Sequence, residues 1–347
     1  HFDKYLILIY LHQKTFKAYK EYQINKEVSA QRLQLGALQL YFPCPTNCRF
    51  QTHRKTNKKM SKMKVFLMIA ILVFSGSCLS EPVNMEAINS SHLDAEPTFS
   101  VDGKEMYLNC HEREGRLGSD ICVSYFDGSE WAEPKVVHEI SSDEYSDFEP
   151  LLSPDGSELF IMSDRPGGKG SMDLWVSARD ADGWGTPVNL EGPFNTPYMD
   201  HCIYFSGENW EVAYWTSTRP GGYGANDIWT SRKVDGLWQE AVNMGSSINS
   251  EFDEHHTLPS EDGKSLYITA TLPEGYGAED IYVSHLDSDG SWTDLVNLGP
   301  EVNTDTADRC PAFSPDYSSF YFDSERSGGN GGKDIWYVPY DSIRNIR

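Results

Sequence analysis

The sequence predicts an all-β chain built as a five-bladed β-propeller with four-stranded blades of about 53–54 residues. Three observations predict it. Five hairpin stretches, SVDGKEMYL, SPDGSELFI, SGENWEVAY, SEDGKSLYI and SPDYSSFYF, begin at Ser100, Ser153, Ser206, Ser260 and Ser314, in steps of 53, 53, 54 and 54. A second marker keeps the same beat: Asp120-Ile121, Asp173-Leu174, Asp227-Ile228, Asp280-Ile281 and Asp334-Ile335. A third is Trp131, Trp184, Trp238 and Trp292, each opening a run such as WGTPVNL or WTDLVNL. Short strands repeating at such a period, with no helical periodicity between them, describe propeller blades.

The chain of 347 residues begins at His1, and its first part differs in composition from the rest. Residues 1–78 hold 13 of the 29 Lys and Arg and 3 of the 52 Asp and Glu, which leaves 16 basic and 49 acidic residues for 79–347, a formal charge of −33. At the junction, KKMSKMK is a basic stretch, VFLMIAILVF (Val65–Phe74) is apolar, and SGSC follows. That is the layout of a secretory leader, too short for a spanning helix. Residues 60–78 are therefore expected to be a signal peptide starting at Met60 or Met63. Residues 1–59 are expected to be upstream sequence translated in frame, the alternative being a disordered basic extension. FSGSC resembles a bacterial lipobox with Cys78 as the lipidated residue, although Ser75 stands where Leu is usual; cleavage after Ser75-Gly76-Ser77 is the competing reading. Either way 79–347 is expected to be exported, as a periplasmic or outer-membrane lipoprotein, or secreted if not lipidated. The acidic surplus argues against nucleic acid or an anionic membrane face as partner, so any membrane attachment would come through a lipid anchor.

Within each unit one strand leads into the DG turn, whose Asp and Gly suit a tight hairpin. A second leaves it (MYL, LFI, LYI, FYF) with aromatic and β-branched content. A Gly-rich loop such as RPGGKGS joins it to the third, DIWV-like, and the Trp-led segment supplies the fourth. The last unit stops at DIWYVPYDSIRNIR without its Trp-VNL strand, while EPVNMEAINSS near residue 81 looks like that strand without its Trp. The N-terminal segment is thus expected to complete the fifth blade and close the ring.

SPDGSELFIMSDRPGG…DLWV is similar to the WD40-like repeat of the TolB type, often called PD40, and all five units match over nearly the whole of 79–347. The resemblance implies the propeller architecture, a periplasmic or envelope-associated setting, and roles that lean toward binding. Architecture does not fix function.

The functional signal lies where the copies disagree. Six residues before each Ser anchor stand Asp94, Asp147, Asp200, Glu254 and Asp308, an acidic signature that reads as a cap on the turn into the strand. Two residues on, the copies diverge: Glu96, Glu149, Cys202, His256 and Cys310, with Ala95, Phe148, His201, His255 and Arg309 between. Thiolate, imidazole and carboxylate are ligands of zinc, iron or copper. Cys202, His256 and Cys310 are the candidate metal ligands, joined by Glu96 and Glu149, if this position faces the channel. The competing reading makes Cys202 and Cys310 small buried thiols or a disulfide. The loop between the second and third strands carries Arg165, Arg219 and Arg326, expected to bridge to the neighbouring blade's acid. In unit one His111 and Glu112 fill the corresponding places, and in unit four Leu272 replaces the Arg. His111, His201, His255 and His256 are expected at one channel mouth. Cys110 and Cys122 bracket the same loop on adjacent strands, where a hairpin disulfide is open.

Three functions compete. The first is a module binding a small molecule, glycan or envelope protein at the central face, where Asp94, Asp147, Asp200, Glu254, Asp308, Arg165, Arg219, Arg309 and Arg326 gather. The second is an enzyme. It would use Asp94, Glu96, Asp147 and Glu149 as carboxylates in a carbohydrate-active hydrolase, or a metal at Cys202, His256 and Cys310 with His111, His201 or His255 as acid or base. The third is an interaction scaffold. No GxSxG or P-loop is present, and the oligomeric state is not legible.

Overall fold

A computed structural model describes residues 81–347; the expected leader and Cys78 lie outside them. Five antiparallel four-stranded sheets follow one another as blades. Blade one comprises Asp94–Phe99, Glu105–His111, Ser119–Tyr125 and Lys135–Val136. Blade two comprises Asp147–Leu152, Glu158–Ser163, Asp173–Asp180 and Val188–Asn189. Blade three comprises Asp200–Ser206, Val212–Ser217, Asp227–Val234 and Val242–Asn243. Blade four comprises Glu254–Pro259, Ser265–Ala270, Asp280–His285 and Val296–Asn297. Blade five takes Asp308–Phe313, Ser319–Ser324 and Asp334–Pro339 from the C-terminal end and Val83–Asn84 from the N-terminal side. Val83 pairs with Tyr337 and Asn84 with Trp336, so the ring closes as the half-units predict.

The fourth strand is shorter than the sequence suggests. Each Trp belongs to an excursion paired with the end of the third strand, as in Arg179 with Trp184 and Lys233 with Trp238, and the blade's edge is the dipeptide that follows. An asparagine side chain makes up the deficit by imitating a peptide group. The Ile335 N–H donates to Asn89 Oδ1 and Asn89 Nδ2 donates back to the Ile335 carbonyl, both at 2.9 Å. Asn195 does the same for Leu174, Asn249 for Ile228 and Asn303 for Ile281, while in blade one Ser141 Oγ accepts from the Ile121 N–H.

The core lies between blades. Tyr107, Ile121 and Val123 of blade one pack against Leu159, Ile161 and Trp175 of blade two, and comparable clusters fill the other blade junctions. Each fully buried Leu or Ile contributes about 1.5–3 kcal/mol, so the ring is held by its interfaces. Those interfaces need glycine at one point. A Cβ on Gly170 would stand 1.8 Å from the Tyr198 carbonyl oxygen of the next blade, and Gly224, Gly277 and Gly331 are in the same position. The Gly-rich loops are therefore close-approach sites between blades.

The Cys110–Cys122 disulfide is formed, diagonally across the second and third strands of blade one. No helix among the described residues is long and apolar enough to cross a membrane.

Candidate metal centre in the propeller channel

Every innermost strand breaks register at the same place: between Ala95 and Thr98, Phe148 and Leu151, His201 and Tyr204, His255 and Thr257, and Arg309 and Ala312. These β-bulges fall on the divergent position. Glu96 (φ 58°), Glu149 (54°), Cys202 (53°), His256 (50°) and Cys310 (53°) are all left-handed, although none is glycine. Such a conformation costs about 1–2 kcal/mol for each L-residue, and bulges re-aim side chains beside functional sites. Here five side chains turn toward one another around the channel.

The bulges interlock from blade to blade. The Glu149 N–H donates to Glu96 Oε2 (2.6 Å) and the Cys202 N–H donates to Glu149 Oε2 (2.5 Å). With Oε2 so engaged, Glu149 Oε1 is left facing 2.8 Å from Cys202 Sγ, 3.4 Å from His201 Nδ1 and 3.3 Å from His256 Nε2. His201 Nδ1 lies 2.9 Å from Cys202 Sγ, and Cys310 Sγ lies 3.3 Å from His256 Nε2. Cys202 and Cys310 are buried free thiols, so they form no disulfide with each other.

Two outer relays fix which imidazole nitrogen faces the channel. Asn226 Nδ2 donates to Asp253 Oδ1 (3.0 Å), which turns Asn226 Oδ1 toward His201 Nε2 at 3.2 Å. His201 must donate from Nε2, which makes Nδ1 the nitrogen directed at Cys202 and Glu149, a lone pair in the neutral ring and a donor to Glu149 in the charged one. In blade four, Glu279 accepts from His255 Nε2 (3.0 Å) and is itself held by Arg309 (2.9 Å). His255 Nδ1 then accepts from His256 Nδ1 in a short contact, and the His256 Nε2 lone pair faces Cys310 and Glu149. Outer partners that orient a ring in this way are characteristic of metal-binding histidines.

The charges are tightly coupled. Burial, with Glu149 beside it, pushes the Glu96 carboxyl up to about 8. Glu149 is buried too, but His201 and His256 hold it well below the usual carboxylate range. Burial opposes and Glu149 favours the charged form of His201, and the net shift is upward. Burial takes His255 down to about 4 despite Glu279. Burial pushes both thiols well up, with Glu149 adding to the effect at Cys202 and Asp323 at Cys310.

The spacing suits a cation. Metal–ligand bonds of about 2.0–2.3 Å in a tetrahedron put ligand atoms roughly 3.3–3.8 Å apart. The contacts of Glu149 and Cys310 with His256, and of Glu149 with His201, are already at the lower edge of that range, whereas Cys202 Sγ stands closer, 2.8 Å from Glu149 and 2.9 Å from His201, and would move outward to take an ion. The donors form overlapping groups within 4.8 Å: Glu149, His201 and Cys202; Glu96, His256 and Cys310; and Cys202, His255 and His256. The expected ligands Cys202, His256 and Cys310 thus share the channel, with the two thiols in different groups.

Other expectations need correction. His111 ends the second strand of blade one, where its N–H donates to the Leu93 carbonyl beside Asp94 at the mouth, but it belongs to none of these donor groups. The arginines pair with the acid of their own blade: Arg165 Nη2 with Asp147 (2.5 Å), Arg219 with Asp200 (2.8 Å) and Arg326 with Asp308 (2.7 Å). The neighbouring blade supplies carbonyls instead, such as Ile140 O to Arg165 and Phe194 O to Arg219. In blade one the guanidinium comes from Arg113, one residue later than the alignment places it, and it holds Asp94 at 2.8 Å. In blade four, with Leu272 in the Arg position, the longer Glu254 accepts from the Ser250 N–H (2.9 Å). Asp94, Asp147, Asp200, Glu254 and Asp308 have no solvent exposure, so this layer braces the mouth and presents no free carboxylate to a glycan.

Sequence reasoning missed Asn226, Glu279, Lys333 and Asp323. Lys333 Nζ lies 3.3 Å from the fully buried Asp323. A signal was there: the residue before each Asp-Ile or Asp-Leu marker runs Ser119, Met172, Asn226, Glu279, Lys333, as divergent as the bulge position itself.

No family model matches the chain, and no curated protein matches it. Among solved structures it is similar to an endo-arabinase from Bacteroides thetaiotaomicron, with a TM-score of 0.50 at 10% identity over 75% of this chain and 97% of that one. It is also similar to a GH43_1 enzyme from Xanthomonas citri complexed with xylotriose (TM-score 0.49, 12% identity, 75% and 90% covered). A third is TolB from Acinetobacter baumannii (TM-score 0.43, 14% identity); the match covers 72% of this chain and 54% of that TolB. At such identities the likeness is one of fold.

Proposed function

We propose that this chain is an exported, envelope-associated propeller that binds a transition metal in its central channel and takes a small molecule, glycan or envelope protein at that face. The observation that carries the reading is the convergence of Glu149, His201, Cys202, His256 and Cys310, with both imidazole lone pairs steered inward by Asn226 and by the Glu279–His255 relay. Mixed thiolate, imidazole and carboxylate donors favour zinc, with iron or copper as the other ions of matching softness. The Cys110–Cys122 disulfide supports an oxidising compartment and thus export; lipidation at Cys78 remains part of the proposal.

A metal-dependent enzyme, hydrolase or oxidoreductase, is the second reading. It is favoured by a donor set larger than a closed four-ligand structural site requires and by a buried imidazole pair ending on Glu279. When bound, a cation of this class supplies Lewis acidity; His255 and Glu279 would hold or pass a proton at His256 Nδ1.

Elemental analysis of protein purified without a chelating resin tests the reading, alongside a Cys202→Ser/His256→Ala/Cys310→Ser variant. Near-stoichiometric zinc, iron or copper in the parent and its loss from the folded variant is the expected result. Absence of metal from the parent even after reconstitution with reduced thiols would remove the site and leave a metal-free binding module.

A further inference from the structure

We infer that the channel binds two divalent cations, with Glu149 bridging them; this rests on the metal-binding reading above. Two of the donor groups share no residue: Glu149, His201 and Cys202 on one side, Glu96, His256 and Cys310 on the other. Each offers one carboxylate, one imidazole and one thiol, a three-ligand set that leaves a coordination position open. The groups adjoin through Glu149. Its Oε1 faces Cys202 and His201 of its own group and lies 3.3 Å from His256 Nε2 of the other. A carboxylate oxygen between two sets of donors is the position of a bridging ligand, and paired ions in such sites stand about 3.5–4 Å apart.

Charge is compatible with two ions: two carboxylates and two thiolates, deprotonated as they bind, balance two dications, while the nearby side-chain cations are already engaged, Arg309 with Glu279 and Glu325 and Lys333 with Asp323. A single four-coordinate ion would leave two of the six donors unused in the interior. The ions are of the zinc class, since each group carries a thiolate.

The test is a titration of the metal-free, reduced full-length protein with Co²⁺. Bound equivalents are counted by native mass spectrometry, and thiolate-to-cobalt absorption is followed in parallel. Wild-type protein is expected to saturate at two equivalents, both raising the thiolate band, with the second attenuating the paramagnetic resonance of the first through coupling. Glu96→Gln and His201→Ala, each removing a donor from a different group, are expected to saturate at one. Glu96→Gln is nearly isosteric, so it keeps the test valid if the His201 variant misfolds. Saturation of the wild type at one equivalent would overturn the pair of ions and leave the metal-binding reading standing. No binding at all would overturn both. Two equivalents retained in both variants would overturn the assignment by putting the second ion elsewhere.

Discussion

Asn226→Leu probes the channel without touching a ligand. Asn226 Oδ1 accepts from His201 Nε2 at 3.2 Å, and its orientation is fixed by the 3.0 Å donation to Asp253. Leucine has the same branching, though a larger volume, and no acceptor, so His201 loses the contact that keeps a proton on Nε2 and turns Nδ1 inward. Loss of such an outer partner typically weakens metal affinity 10–100-fold, about 1.4–2.7 kcal/mol. The assay is competition between the reduced protein and a chromophoric chelator, with circular dichroism melting as the check on folding. Because Asn226 acts through His201, Asn226→Leu added to His201→Ala should cost almost nothing further, giving a coupling energy as large as the Asn226 effect itself. Affinity within twofold of wild type in a folded Asn226→Leu protein would refute the relay, and so would simple additivity of the two changes.

The remaining expectations concern the frame that holds the channel. Asn89→Ala removes both side-chain bonds to Ile335; the Ile335 carbonyl keeps the Met85 N–H, but the buried Ile335 N–H is left unpaired. At about 1–3 kcal/mol for such a group, urea unfolding should show a loss of that size, and a change below about 0.5 kcal/mol would mean that Asn89 does not hold the edge of blade five. Arg326→Met strips the buried Asp308 of its 2.7 Å partner and should cost about 3–5 kcal/mol, read from the same unfolding curves; a neutral result would show that the Asp–Arg layer is dispensable. Replacing Cys110 and Cys122 by serine opens a bridge with a sequence separation of 12 and should lower stability by about 3 kcal/mol on the chain-entropy account, with metal content unchanged because the bridge is no part of the channel.

Much of the architecture was legible because repetition supplies its own alignment. The 53- and 54-residue steps locate the blades, and the half-units at the two ends of the propeller foretell its closure. The bulge was not legible. In a regular strand His255 and His256 would point to opposite faces; the left-handed His256 lets both lie in the interior and touch. Divergence among copies nevertheless singled out Glu96, Glu149, Cys202, His256 and Cys310. The outer relays escaped because Asn226 and Glu279 enter from a loop 25 and 24 residues downstream of the histidines they orient. The arginine of blade one was missed because that blade carries a local turn at Arg113–Gly115 with Glu112 left-handed, which shifts the guanidinium that meets Asp94 by one residue. Fixed offsets fail wherever a loop changes length.

The most direct test of the central claim is X-ray absorption at the metal edge of the loaded, reduced protein. The account predicts sulfur scatterers at about 2.3 Å together with nitrogen or oxygen at about 2.0–2.2 Å, and loss of the sulfur shell when Cys202 and Cys310 are both replaced by serine. A shell of light atoms alone in the wild-type protein would contradict it, because the metal would then be held away from the bulges that turn these thiols into the channel.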